Sequence, residues 1–152
     1  MASSPVHRYI HAPPSAVYRA LTDGRSVGTW RAPDGMRAVV HTFDARQGGA
    51  FRITLAYDDE SRAGKTAGHV DTYHGCFRAL VADRQVVEVV EFETSDPEMQ
   101  GEMTITTDLE GVGEGTEVTV GFDGLPVGIS EEDNDAGTAM SLANLARLVE
   151  GD

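Results

Sequence analysis

Glu88 is the most unusual polar residue of the sequence. It lies in a stretch, Gln85 to Thr94, whose alternation groups it with Val86, Val90 and Phe92 once the charged Glu91 and Glu93 are turned to water. A carboxylate among apolar side chains has a raised pKa and can serve as an acid, a base or a ligand anchor. The plainer alternative is a strand end with its head in solvent, or a bulge that reverses the parity. Thr107 interrupts the apolar series Met103, Ile105, Leu109, and Tyr57 ends the series Phe51, Ile53, Leu55. Either hydroxyl can orient a ligand in an apolar pocket, since a few placed polar groups among apolar walls fix orientation. Alternatively, Thr107 bonds a neighbouring backbone group and Tyr57 stands at a rim.

Other residues of chemical type carry weaker signals. His69, Asp71 and Tyr73 share one face of a strand and His74 follows on the other, types that can bind metal or relay protons. No carboxylate-histidine or Cys-His motif with metal-ligand spacing accompanies them, so a solvated strand end or a pocket rim is the expectation. His7 and His11 read as surface residues of the first strand, and His41 as a minor pocket candidate beside Phe43. Trp30 and Pro33 fall where short helices meet the sheet, the tryptophan as core, as a binding surface, or as both. Gly48-Gly49 lacks the lysine and following helix of a phosphate loop and reads as a hairpin bend. No Ser-His-Asp or Cys-His set can be assembled, and Cys76 has no cue for activation. The sequence implies no metal, no cofactor and no covalent catalysis.

The elements that would position these residues are legible from periodicity. Val6 to His11 alternates as an opening strand. Pro13-Pro14 followed by apolar residues at helical spacing predicts a helix ended by Asp23-Gly24, and a second short helix runs from Ser26 to Trp30. From Met36 to Phe122 the period becomes two, with strands expected near Arg37 to Asp44, Ala50 to Asp58, Thr66 to Ala82, Gln85 to Thr94, Met99 to Leu109 and Thr116 to Phe122. Turns fall at Gln47-Gly48-Gly49, Asp58 to Gly64, Asp83-Arg84, Ser95-Asp96-Pro97 and Gly111 to Gly115. One-sided alternation marks an antiparallel sheet with one wet face. Ser130 followed by Glu131, Glu132 and Asp133 opens a last helix, running to about Val149 and about 30 Å long. Thr138, Leu142, Leu145 and Val149 form its sheet-facing stripe, while Met140, Asn144 and Arg147 face away.

Length and charge bound the rest. One α+β domain covers the 152 residues, and the single cysteine cannot close an internal disulfide. A formal charge of -13 repels phosphate backbones and anionic lipid, which excludes nucleic acid and membrane surfaces as partners. No apolar run approaches a membrane span, and Met1 to Pro5 lacks the marks of a signal peptide, so a cytoplasmic setting is expected.

Several segments in order carry a resemblance: Ala12-Pro13-Pro14-Ser15-Ala16-Val17-Tyr18-Arg19-Ala20-Leu21-Thr22-Asp23, Trp30 with Pro33, and Asp44-Ala45-Arg46-Gln47-Gly48-Gly49-Ala50-Phe51-Arg52. Gly75-Cys76-Phe77-Arg78, Gly115-Thr116-Glu117-Val118-Thr119-Val120, Gly124-Leu125-Pro126 and Leu142-Ala143-Asn144-Leu145 continue it. Together, over nearly the whole chain, they resemble the activator of heat-shock-protein-90 ATPase homologue family, within the START-like (SRPBCC) helix-grip superfamily. The resemblance implies a seven-stranded curved antiparallel sheet wrapped around the C-terminal helix, two short helices after the first strand, and a cavity between sheet and helix. It departs from the family where the last helix commonly opens with Gly-Trp: here Gly137 precedes Thr138.

The expected function is binding of a small apolar or amphipathic molecule in a pocket lined by Trp30, Tyr57, Glu88, Val90, Met103, Thr107, Phe122 and Leu142. Two alternatives stand beside it. One is an enzyme resembling polyketide cyclases or aromatases, with Glu88 or a histidine moving protons. The other, weakest, is a module stimulating a chaperone ATPase, as the family name implies. Met140 and Ala143, facing away from the sheet, leave a homodimer open.

Overall fold

The computed structural model describes residues 5–32, 35–57 and 70–151. Their order is β1 (Val6–Ile10), α1 (Pro14–Leu21), α2 (Gly24–Trp30), β2 (Met36–Phe43), β3 (Ala50–Tyr57), β4 (Val70–Val81), β5 (Gln85–Phe92), β6 (Met103–Val112), β7 (Gly115–Asp123) and α3 (Glu131–Val149). The strands form one antiparallel sheet in the order β1-β7-β6-β5-β4-β3-β2. From β2 to β7 each strand pairs with its sequence neighbour. Only β1 comes from afar, with Val6 opposite Val120 and Ile10 opposite Thr116.

Alternation fixes which face of the sheet is dry. Phe51 and Ile53 of β3, Phe77 of β4, Val86, Glu88 and Val90 of β5, and Val118, Val120 and Phe122 of β7 are all buried. The outer face is polar. Thr54 meets both His41 and Thr72, and Arg52 clasps Glu93 through two hydrogen bonds of 2.9 Å. Two bulges bend the sheet, between Val40 and Thr42 in β2 and between Phe77 and Ala79 in β4. An extra residue on one strand of a pair increases local twist.

The β2 bulge corrects one expectation. His41 and Phe43 have the same parity, but the inserted residue breaks the alternation. Phe43 packs against the core while His41 is exposed.

Close backbone approach places glycine at Gly75, where an added Cβ would run into the Val89 carbonyl and stand 2.9 Å from the Phe51 ring. Gly48 takes the left-handed φ of +85° its turn requires, and its N–H donates to the Phe77 carbonyl at 2.7 Å. The Gly48-Gly49 pair thus seats the β2–β3 connection on the β4 bulge.

Several element limits differ from the sequence expectation. β6 starts at Met103 rather than Met99. Residues 94–102 form a loop in which Asp96 accepts from the Glu98 N–H, and Met99 is buried without joining the ladder. The β6–β7 turn is the two residues Gly113 and Glu114, tighter than the expected span from Gly111 to Gly115. The turn at Asp58 to Gly64, the start of its following strand through His69, and Pro33 lie outside the described residues.

The last helix opens as its sequence requires. The Ser130 hydroxyl accepts the Asp133 N–H at 3.0 Å, and Glu131, Glu132 and Asp133 occupy the positive end of the helix. Leu142, Leu145 and Ala146 are buried. Asn144, expected to face away, instead donates to the Ala32 carbonyl at 3.0 Å, and Ser141 donates to the Arg31 carbonyl at 2.8 Å. These two side chains latch α3 to the end of α2.

Candidate functional site

Between the inner face of the sheet and α3 lies a cavity of about 230 Å³. At roughly 30 Å³ per water, it holds a molecule on the scale of ten heavy atoms. β3 supplies Leu55 to its wall, β5 Val90 and Phe92, β6 Met103 and Ile105, β7 Val120 and Phe122, and α3 Thr138 and Leu142.

Of the eight residues singled out in the sequence, seven line this cavity: Trp30, Glu88, Val90, Met103, Thr107, Phe122 and Leu142. Tyr57 does not. It is the last residue of β3, opposite Met36 at the start of edge strand β2, and the strand has passed beyond the cavity by that point. Parity carries no information on how far along a strand a cavity reaches.

Glu88 points inward and is 5% exposed. It is not the isolated carboxylate that its neighbours in sequence suggest. Arg31 Nη2 donates to both of its oxygens, at 3.2 and 3.4 Å, and Arg31 Nε donates to the Tyr73 hydroxyl at 3.0 Å. The guanidinium carbon also stands 5.3 Å from the centre of the Trp30 ring and 5.8 Å from that of Tyr73. Burial opposes the Arg31 charge, but Glu88 and Tyr73 outweigh it and hold the guanidinium above its ordinary pKa. The same burial pushes the Tyr73 hydroxyl up, with Glu88 adding to the effect and Arg31 opposing it.

Local structure explains the placement of Arg31. Trp30 ends α2 buried, its indole N–H donating to the Ala20 carbonyl at 2.9 Å. Arg31 follows as the C-cap, and Ser141 holds its carbonyl from the roof. The backbone is therefore fixed from both sides, and the side chain reaches across to β4 and β5.

Sequence reasoning missed Arg31. The available signal was indirect: an acid placed on a buried face calls for a cation within reach. Asp71, 1% exposed, and Asn134 also line the cavity. Alternation groups Asp71 with Tyr73 on one face but predicts a rim or strand end there rather than a buried residue. Asn134 stands in the acid-rich first turns of α3, a composition that reads as solvent-facing. Among the described residues, no group of three or more His, Cys, Asp or Glu could hold a metal. His74 lies exposed on the outer face against Glu91 and Glu93.

A curved seven-stranded antiparallel sheet closed over a C-terminal helix, with a cavity between, defines a START-like helix-grip protein. The chain belongs to the family described as activator of Hsp90 ATPase homolog 1-like protein, which it matches over residues 11–150. A protein of known structure from Chromobacterium violaceum is 30% identical, with a TM-score of 0.87 over 98% of this chain and 97% of that one. An AHSA1-like protein from Aeromonas hydrophila shares 20% identity over 99% of this chain and 92% of its own, with a TM-score of 0.74. A protein from Arthrobacter aurescens, 16% identical, superposes with a TM-score of 0.78 over 97% of this chain and 86% of that one. No curated protein matches the sequence. The fold commonly binds hydrophobic ligands. No helix among the described residues is long and apolar enough to cross a membrane.

Proposed function

We propose that this protein binds a small, largely apolar molecule between the sheet and α3. The observation that carries this reading is the cavity, most of whose lining residues are aliphatic or aromatic. Burying apolar ligand surface there supplies affinity at about 25 cal/mol per Å². Rigid neighbours keep the space open: Trp30 is tied to Ala20, and α3 is latched to Arg31 and Ala32. Glu88 is committed to Arg31, so in this reading it shapes the polar end of the cavity and does not shuttle protons.

Titration with pentylbenzene, followed by backbone amide NMR shifts, tests the proposal. The expected result is saturable shifts concentrated in β5, β6, β7 and the first half of α3. Absence of saturable shifts, or shifts scattered over the outer face, would refute it.

A further inference from the structure

Thr107 stands on the inner face of β6, 5% exposed, and lines the cavity. Its hydroxyl bonds to no other group among the described residues, yet it is not one of the sealed atoms: the side-chain polar atoms both buried and unpartnered are Asn134 Nδ2 and Asp135 Oδ1. A hydroxyl neither bonded nor sealed, on a residue this deeply buried, opens onto the cavity. It can both donate and accept.

Glu88 is its diagonal neighbour. Thr107 pairs with Val86 across the β5–β6 ladder and Ile105 pairs with Glu88, so the two polar side chains share the dry face one step apart. Cβ atoms so related lie about 7 Å from one another. The Glu88 carboxylate also keeps capacity. Both of its oxygens take their hydrogen bonds from one nitrogen, Arg31 Nη2, at 3.2 and 3.4 Å, and no second donor among the described residues bonds to them. An ionised carboxylate offers about four acceptor positions, and a buried ion pair is favourable only when further hydrogen bonds satisfy them.

The group that answers both residues must donate and accept. A ligand hydroxyl donates to Glu88 and takes a hydrogen bond from Thr107. One oxygen with two such bonds of about 2.8 Å spans about 5 Å, the scale of the gap between the side chains. A ketone or ether has no proton for Glu88. A carboxylate adds charge to a cavity lined by Glu88, Asp71 and Asp133 against the single cation of Arg31 among the described residues.

We infer that the cavity selects an uncharged ligand with a hydroxyl head, an alcohol or a phenol, which donates to the Glu88 carboxylate and accepts from Thr107 Oγ1 while its apolar body lies against Val90, Met103, Val120 and Phe122. This deepens the proposed function and rests on it.

The test titrates the intact protein at neutral pH, by calorimetry or NMR, with 3-phenyl-1-propanol, its isomer 2-methoxyethylbenzene, and pentylbenzene. The ether has the atoms of the alcohol and keeps an acceptor but lacks the O–H. The alcohol should bind at least tenfold more tightly, because a site built to pair a hydroxyl is left unsatisfied by an analogue without one. Thr107→Val, which keeps the shape of the side chain and removes its oxygen, should weaken the alcohol at least fivefold and leave pentylbenzene within twofold. The comparison of alcohol with ether in the wild-type protein needs no variant to fold. Pentylbenzene binding accompanied by equal affinities for alcohol and ether, or an alcohol affinity that a folded Thr107→Val leaves unchanged, would overturn this inference and leave the proposed function standing. Failure of all three probes to bind would remove both.

Discussion

Arg31 and Glu88, 57 residues apart in sequence, meet at 3.2 Å across the inner face of the sheet, with side chains 16% and 7% exposed. The contact joins the end of α2 to the middle of β5. Removing one member of a buried pair strands the other charge, whereas removing both can be nearly neutral. Glu88→Leu or Arg31→Met alone should therefore cost about 3 kcal/mol in urea unfolding. The double variant Arg31→Met/Glu88→Leu should be more stable than either single one. A double variant as unstable as the sum of the singles would show that the two residues act independently.

Thr138 stands in the cavity wall, at the position where the family resemblance leads one to expect tryptophan. Thr138→Trp should fill part of the 230 Å³ space with indole and weaken pentylbenzene binding at least tenfold. The melting temperature should hold or rise, because the added side chain enters existing space rather than displacing core atoms. Undiminished binding in a folded variant would place the ligand elsewhere.

Gly75 marks a close approach between β4 and β5. In Gly75→Ala the new methyl group would collide with the Val89 carbonyl and press on the Phe51 ring. Backbone on one side and a fully buried ring on the other leave little room to yield. Destabilisation of about 2 kcal/mol is expected from chemical denaturation.

Ser130→Ala removes the side-chain acceptor of the Asp133 N–H at the start of α3. The expected loss is about 1 kcal/mol. Ser130→Asp, which restores an acceptor, should recover most of it, an outcome readable in thermal melts.

The outer-face pair of Glu93 and Arg52 gives a pH signature. Hydrogen bonding from Arg52 holds the Glu93 carboxyl below its ordinary pKa, against an opposing effect of desolvation and with help from His74. A carboxyl lowered in the folded state stabilises the fold above the ordinary carboxylate range, and that contribution is lost as the pH falls through the folded value. Glu93→Gln should thus be less stable than the wild type at neutral pH by no more than about 1 kcal/mol, since the pair is solvent-accessible. The difference should shrink on acidification. A gap that widens in acid would reverse the sign of this linkage.

Periodicity made most of the architecture legible. Each of β1 to β7 and α1 to α3 falls within a few residues of its expected place, because a one-sided sheet writes its dry face into alternate positions. The inward placement of Glu88 followed from the same rule. Where the rule stopped was at events of one residue: the bulge that turned His41 out, and the loop that kept Met99 off the ladder. The site was harder to read than the fold. Arg31 follows a helix and carries no periodic mark, and its role exists only because Ser141 and Glu88, distant in sequence, converge on it. Tyr57 shows the converse, a residue grouped by alternation with the inward series that stands at a strand end outside the cavity lining.

Strand β1 joins the sheet only through β7, and the His11 N–H is held by the Glu150 carboxylate at 2.9 Å. The hairpins between β4 and β7 can zip up from local turns, but the edge next to β7 closes only when β1 finds β7 across the whole intervening sheet. Contacts of such long sequence separation slow folding, because the entropy of loop closure is spent before they form. Closure of this edge is therefore expected to be the slow step of folding, and during synthesis β1 waits for β7, made more than a hundred residues later.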